Sequence, residues 1–446
     1  MSDCATPKIR FETPTPLALE AAFDGGRLTS DGGLGWLARM DSEMGLCRAI
    51  SECVPEWRTR KGRHTLAALV KQRVFQIACG YEDQNDSNSL REDPLLKLVC
   101  GSLPESGADL ASQPTLSRLE NAADARCCHR IAEVLFELYL KERGKEGAPG
   151  KILLDFDSTD DPTHGDQEGS YYHGYYGQHM YHPLLVFDGE SGHLITALLR
   201  SGNTHGSHSA VALLKRIVAR LRRRWPEVEV ELRADAGFAV PALYDYCEDE
   251  DITYTVGLIT NNRLEDLAEE LLEEARERHE YEQEKVKLFS EDLYRAGSWE
   301  HERRVVYKAE VMEQGSNTRF VVSTRAEEPE ELYGFYARRG ESENWIRIKD
   351  FKVHMKADRL SCHRFIANQF RLLLHAAAYW LMDALRRKLI EGGMRRIQLD
   401  TLRLRLVKIG GRVRELLTKI RLHLASGHPG QSLWQALSRS FGDLYE

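Results

Sequence analysis

The chain has 446 residues, 42% hydrophobic and 9% aromatic, enough for two to four buried cores of ordinary domain size. It contains no run of the ~18 apolar residues that a membrane-spanning helix needs, and its opening MSDCATPKIRFETPTP lacks the order of a secretory signal. Nine cysteines without Cys-x-x-Cys spacing argue against a disulfide framework or a structural zinc site. A cytoplasmic protein with no membrane partner is therefore expected. The formal charge of −8 counts against a wholly basic nucleic-acid protein, but it is unevenly spread. From Arg386 to Glu446 there are 13 Lys and Arg against 5 Asp and Glu, 13 − 5 = +8. Smaller basic clusters are RTRKGR (58–63) and KRIVARLRRR (215–224). Local patches, not the total, govern binding to a phosphate backbone.

Residues 1–145 read as mainly helical. Thr65 is a good N-cap, and Leu66, Leu69, Val70, Val74 and Ile77 follow at helical spacing. GYEDQNDSN (80–88) is a polar loop, and Ser112 with Pro114 opens a helix predicted to run through TLSRLENAADARCCHRIAEVLFELYLKE. Short helices joined by polar turns suit a helix-turn-helix reader and a plain helical bundle equally. ERGKEGAPGK (142–151) marks a boundary, after which the texture changes. KILLDFD (151–157) is a strand ending in acids, and HPLLVFDGESGHLITALLRSG (182–202) is two strands about a turn with glycine. A basic amphipathic helix spans about 208–224, followed by strands VEVELRAD (228–235) and ITYTVGLI (252–259). Residues 260–300 are predicted as one acidic helical stretch, RRVVYKAEV and TRFVVST (303–324) as a strand pair, and the chain from Pro329 as helical. LRLRLVKIGGRVREL alternates apolar and basic residues about Gly410 and Gly411, which predicts a hairpin with a basic face that includes Arg403, Arg405, Arg412 and Arg414. This order of elements is that of an α/β or α+β core.

With 69 Asp and Glu in the chain, spacing alone carries little weight, so context decides. Asp155 and Asp157 end an apolar strand, on one face with Phe156 opposite; Asp235 ends another strand. Acids at the carboxyl ends of buried strands point into the crevice where α/β sheets bind ligands. Glu343 lies further along in a helical stretch. Three carboxylates on separate elements are the minimum for holding two hard cations that act on a phosphodiester.

Several longer motifs follow one another in order: GYEDQND, LREDP and QPTLSRLEN, then LLDFDSTDDPTHGDQEG, LRSGNTHG, RADAGFAVPALYDYCE, YARRGESENWIRIKDFK and FIANQFRLLLHAAAYWL. Over about residues 10 to 425 they closely resemble the DDE transposases of bacterial insertion sequences, in particular the insertion-sequence 1380 group, related to the insertion-sequence 4 group. The resemblance implies an α+β fold with a ribonuclease-H-like core at 146–258 and 318–385 and a β-containing insertion at 259–317. A helical DNA-binding region at 1–145 would precede that core and a basic region at 386–446 would follow it. It places the first acid on Asp157, which Ser158 and Thr159 follow, with Asp155 as the fallback, the second on Asp235 and the third on Glu343. The gaps are 235 − 157 = 78 and 343 − 235 = 108 residues. These acids would hold two Mg²⁺ ions, for which Mn²⁺ can substitute, while Tyr336, Arg339, Arg347, Lys349 and Lys352 would contact phosphate. One position departs from the related group's pattern: its lysine seven residues after the glutamate is Asp350 here. The implied activity is metal-dependent cleavage of double-stranded DNA at terminal inverted repeats and strand transfer to target DNA, by a homodimer.

Other readings were weighed against this one. DFDST matches the loop of haloacid-dehalogenase-type phosphatases, with Asp155 as nucleophile and Asp157 as acid/base, but no Gly-Asp-x-x-x-Asp follows. An EF-hand fails because Asp160 stands where glycine is required. The histidines between 164 and 208 have no metal-ligand spacing, although His164 and His205 fall in the family-like motifs and are candidates for lining the cleft. YYHGYY (171–176) suits either base stacking or, with the better balance, a packed hairpin. Trp299 is a candidate to stack on a flipped base. A catalytically inactive repeat-binding regulator is the non-enzymatic alternative.

Overall fold

The computed structural model describes residues 8–60, 62–340 and 347–442. Its strands in chain order are β1 Ile9–Phe11, β2 Leu19–Ala21, β3 Leu28–Thr29, β4 Lys151–Ser158, β5 Asp161–Pro162, β6 Tyr171–His173, β7 Gln178–Tyr181 and β8 Leu184–Asp188. There follow β9 Leu194–Leu198, β10 Glu229–Ala234, β11 Thr253–Leu258, β12 Val286–Tyr294, β13 Arg303–Met312, β14 Gly315–Ser323, β15 Gly411–Glu415 and β16 Ile420–Leu424.

KILLDFDS is buried from Ile152 to Asp157, as expected of a strand covered on both faces. It forms β4, near the middle of an eight-stranded sheet ordered β12-β13-β14-β11-β10-β4-β8-β9. β10 runs parallel to both β4 and β11, and the remaining neighbours are antiparallel. Parallel neighbours require crossovers. The helix Ala210–Arg224 carries the chain from β9 to β10, and the helix Pro241–Asp249 carries it from β10 to β11. This is a mixed α+β fold with one large mixed sheet. The strands expected at 151–157, 182–202, 228–235, 252–259 and 303–324 and the helix at 208–224 are all present. The segment 259–317 supplies β12 and β13 to this same sheet.

Three expectations are corrected. The helix foreseen through 115–142 is two, Gln113–Ala122 and Ala125–Arg143, because Asp124 caps a new start by accepting the Cys127 N–H at 2.7 Å. The acidic stretch 260–300 is helical only over Asn262–Glu282; β12 follows as a half-solvated edge strand. The hairpin does not turn at Gly410 and Gly411. Leu399, Leu402 and Leu406 recur at helical spacing and are buried while Leu404 is 66% exposed, so 399–407 is helical. The hairpin lies after it, as β15–β16.

The chain divides into two compact units, and the division falls within the helix Phe365–Glu391. The unit Ala123–Ala376 holds the large sheet. In it the helix Ala125–Arg143 is tied to the end of β8, where buried Asp188 accepts from Tyr139 Oη at 3.0 Å and from Arg143 Nε at 3.1 Å. The other unit joins the chain up to Ala122 to the chain from Ala377. Thr65 caps its helix Leu66–Ala78 as foreseen, accepting the Ala68 N–H at 3.1 Å. Arg73 and Glu120 form a fully buried ion pair at 2.8 Å. β3 pairs with β15, and the nearby Gly33 N–H donates to the Val407 carbonyl at 3.0 Å. A side chain at Gly33 would collide with the Leu406 carbonyl oxygen, so this approach requires glycine. Among the described residues no helix is long and apolar enough to cross a membrane.

Candidate active site

β4 and β10 run in the same direction with Ala234 opposite Phe156. The register ends there, and the next residues of the two chains are Asp157, still within β4, and Asp235, just past the end of β10. Both acids thus stand at the carboxyl ends of neighbouring parallel strands. Asp235 leaves its strand by capping the turn Ala236–Phe238, accepting the Gly237 N–H at 2.8 Å. Phe238 is buried and meets Phe156 edge-on, with centroids 6.1 Å apart, which fixes the floor beneath the acids. Asp157 is 1% exposed, and its Oδ1 accepts from Arg339 Nη1 at 2.8 Å. The Arg339 guanidinium in turn lies 5.7 Å from the Tyr336 ring centroid.

The loop from LRSGNTHG closes one side. Arg200 is 3% exposed and donates to the carbonyls of His182 at 2.7 Å, Gly206 at 2.6 Å and His208 at 2.9 Å, and to Ser158 Oγ at 2.8 Å. Burial brings its pKa down to about 10, against the pull of Asp235, so it remains a cation at neutral pH. Gly206 sits so close that a side chain there would meet the Gly237 carbonyl oxygen at 3.1 Å. His205 is exposed on this loop, with Nδ1 2.8 Å from Ser207 Oγ. His182 is buried, which lowers its pKa to about 4 and leaves it neutral.

Asp155 has a different role. Arg233 forks onto it, Nε to Oδ1 at 2.7 Å and Nη2 to Oδ2 at 2.9 Å, and Arg347 Nη1 reaches Oδ2 at 3.2 Å. Enclosed by two guanidiniums and fully buried, Asp155 is a structural ion-pair centre. That removes the phosphatase reading, which needs its carboxylate open to attack. Arg347, expected on phosphate, also donates to the Gly189 carbonyl at 2.8 Å. Lys352 is held by Asp160 at 2.5 Å. Lys349 is exposed, and Asp350 is buried with His354 Nδ1 at 2.6 Å, so it cannot stand in for the missing lysine.

Glu343 lies outside the described residues. Among those residues, no three His, Cys, Asp or Glu side chains are grouped to hold a metal ion. His164 is exposed. Trp299, the candidate to stack on a flipped base, is a core residue: it is 5% exposed and enclosed by Tyr244, Tyr294 and Arg303. YYHGYY forms the hairpin β6–β7, with Tyr172 59% and Tyr175 88% exposed.

Sequence reasoning missed Arg233, one of three charged residues in EVELRA, and Arg200, just past the end of β9. It also missed a small cleft lined by Asp160, Asp161, Lys352 and Asp358 together with Leu185 and Phe351.

Residues 13–444 match the family model described as transposase DDE domain group 1, so the chain belongs to the DDE transposase family. No curated protein matches it. Among solved structures it is similar to a piggyBac transposase synaptic complex with hairpin DNA, at 12% identity over 84% of this chain and 77% of that one, TM-score 0.45. It is also similar to a Mos1 transposase paired-end complex with left transposon end, at 14% identity over 45% and 60%, TM-score 0.17.

Proposed function

We propose that this chain binds the terminal inverted repeats of a bacterial insertion sequence, cleaves a strand at the repeat end and transfers the freed 3′ end to target DNA. The observation that supports this reading is the parallel pairing of β4 and β10, near whose carboxyl ends Asp157 and Asp235 lie. With Glu343 as the third acid, they would hold two divalent ions, Mg²⁺ or Mn²⁺. The donor set fits: carboxylate oxygens are what hard cations take, and a cation, the Arg339 guanidinium, already lies on Asp157. When bound, such ions activate the attacking oxygen and stabilise the leaving one. Arg339, released from Asp157, then holds a phosphate oxygen, and Tyr336 supports it. Arg200 fixes the loop around the acids, and Asp155 with Arg233 keeps β4 and β10 in register. In this reading the large sheet is a ribonuclease-H-like core at 146–258 and 318–385, with 259–317 inserted. The helical region 1–145 reads the repeats, and a homodimer pairs two transposon ends.

The test is cleavage of labelled duplex carrying the terminal repeat, supplied as paired ends, with Mg²⁺ or with chelator, by wild type and Asp157→Ala. Metal-dependent nicking at the repeat end that disappears in the variant is expected. Specific binding with no nicking by the wild type would sink the enzymatic reading and favour a repeat-binding regulator.

A further inference from the structure

β15 and β16 form an antiparallel ribbon in which Arg412 stands opposite His423 and Arg414 opposite Arg421. Alternation sends Val413 inward, 1% exposed, and leaves Arg412, Arg414, Arg421 and His423 exposed. These four side chains make a patch about 5 Å across the strands and roughly 6.8 Å along them. Among the described residues none of the three arginines has an ion-pair partner. The ribbon's one carboxylate, Glu415, is engaged elsewhere. It accepts from Ser106 Oγ at 2.5 Å and from the N–H groups of Glu105 at 3.0 Å and Ser106 at 3.1 Å. Arg403, expected on the same basic face, is withdrawn from it, donating to the Ala78 carbonyl at 2.9 Å.

Arg414 directly opposite Arg421 is a like-charge pair, which costs stability in the free protein. It persists in a chain whose formal charge is −8, so cations are concentrated here against the trend of the whole. A polyanion would remove that cost and release its own counterions on binding. β3 pairs with β15 at Gly411 and Arg412, and beyond them β15–β16 is two strands wide, a width that the major groove of B-DNA admits. The exposed face carries guanidinium donors and no carboxylate, which suits phosphate oxygens common to every sequence better than base edges.

We propose that the exposed face of β15–β16 is a phosphate-binding surface for duplex DNA, with Arg412, Arg414 and Arg421 each neutralising one phosphate. This rests on the reading that the chain acts on DNA and assigns a positioning surface to it.

The test is anisotropy of labelled repeat duplex and of unrelated duplex over a salt series with the full chain in chelator. Wild type is compared with the triple variants Arg412→Ala/Arg414→Ala/Arg421→Ala and Arg412→Lys/Arg414→Lys/Arg421→Lys. The slope of log K against log[salt] should become shallower by about 2.7 in the alanine variant, three phosphates at ~0.9 each. Both duplexes should lose affinity equally, and the lysine variant should keep the wild-type slope. The alanine variant should melt no lower than wild type, because the Arg414–Arg421 repulsion is gone. A wild type that binds repeat duplex in chelator with a slope the alanine variant shares, and nicks it once Mg²⁺ is supplied, would overturn the ribbon's role alone, leaving its cations as charges that protect an edge strand. A wild type that binds no duplex would overturn the ribbon and the transposase reading together.

Discussion

At the ends of β4 and β10, Arg233 and Arg347 lie on Asp155 and Arg339 lies on Asp157, all buried or half-buried. On β15–β16, Arg412, Arg414 and Arg421 stand in solvent, two of them near other cations across the ribbon. The difference follows from solvation. A guanidinium taken out of water must find acceptors, carboxylates for Arg233 and Arg339 and carbonyls for Arg200, because an uncompensated buried charge costs several kcal/mol. A solvated one incurs no such desolvation, only the smaller repulsion of a like charge across the strands, and can be kept for a ligand. The paired set therefore fixes geometry, and the unpaired set is available for binding.

The largest expected effect separates chemistry from folding within the first set. Asp235→Asn keeps the acceptor that caps Gly237 and removes only the charge. Cleavage of repeat DNA should fall at least about a thousandfold, the equivalent of roughly 4 kcal/mol, with the denaturation midpoint little changed. Cleavage near the wild-type rate would remove Asp235 from the catalytic set. Asp155→Ala should do the reverse. It strands Arg233 and Arg347 and should cost about 3–5 kcal/mol in urea denaturation. Asp155→Leu combined with Arg233→Met should recover most of that loss, since it leaves fewer buried charges uncompensated. If the single variant folds as firmly as wild type but cannot cleave, Asp155 belongs with the catalytic acids.

The sequence made the strands of the sheet legible because their apolar runs are bounded by glycine, proline or acids, and the acids at their ends marked the edge where the site lies. It did not show which of the two acids in DFD is structural, because that depends on Arg233, 78 residues away in the pair Asp155–Arg233. VKLFSEDLY was lost to the acidic helix before it: as the outermost strand, β12 is half-solvated and carries Lys287, Glu291 and Asp292, which blur its alternation. LRLRL misled in the opposite sense, since its strand-like alternation is local while its buried leucines follow a helical period. Trp299 read as an available aromatic because nothing in its neighbourhood in sequence shows that Tyr244 covers it.

One buried acid in the sheet unit lacks the partner that Asp155 and Asp157 have, and it predicts the smallest effect. Asp161 is 1% exposed, and neither carboxyl oxygen has a hydrogen-bond partner. Burial, and then the nearby Asp358, push its pKa well above the usual carboxylate range, with Lys352 opposing. Burial raises Asp358 as well. Burial also pushes on Asp160, but the Lys352 ammonium at 2.5 Å and the Gln178 amide at 3.0 Å outweigh it and hold that acid low. Lys352 thus ion-pairs with Asp160 and only partly offsets the upward push on Asp161. Because the folded pKa of Asp161 lies above its unfolded value near 3.9, the folded state keeps a proton that the unfolded state releases. Its contribution to stability is complete below about pH 3.9 and is lost as pH rises through the folded pKa, at up to about 1.4 kcal/mol per pH unit. Asp161→Asn has nearly the same shape and no such dependence. It should match wild type near pH 4 and become progressively more stable than wild type toward neutral pH, read as melting temperature across a pH series. A variant less stable than wild type at pH 7 would mean that Asp161 is ionised there and held by a cation in the cleft beside Lys352, and the rule that a buried charge here must be paired would then extend to the third acid as well.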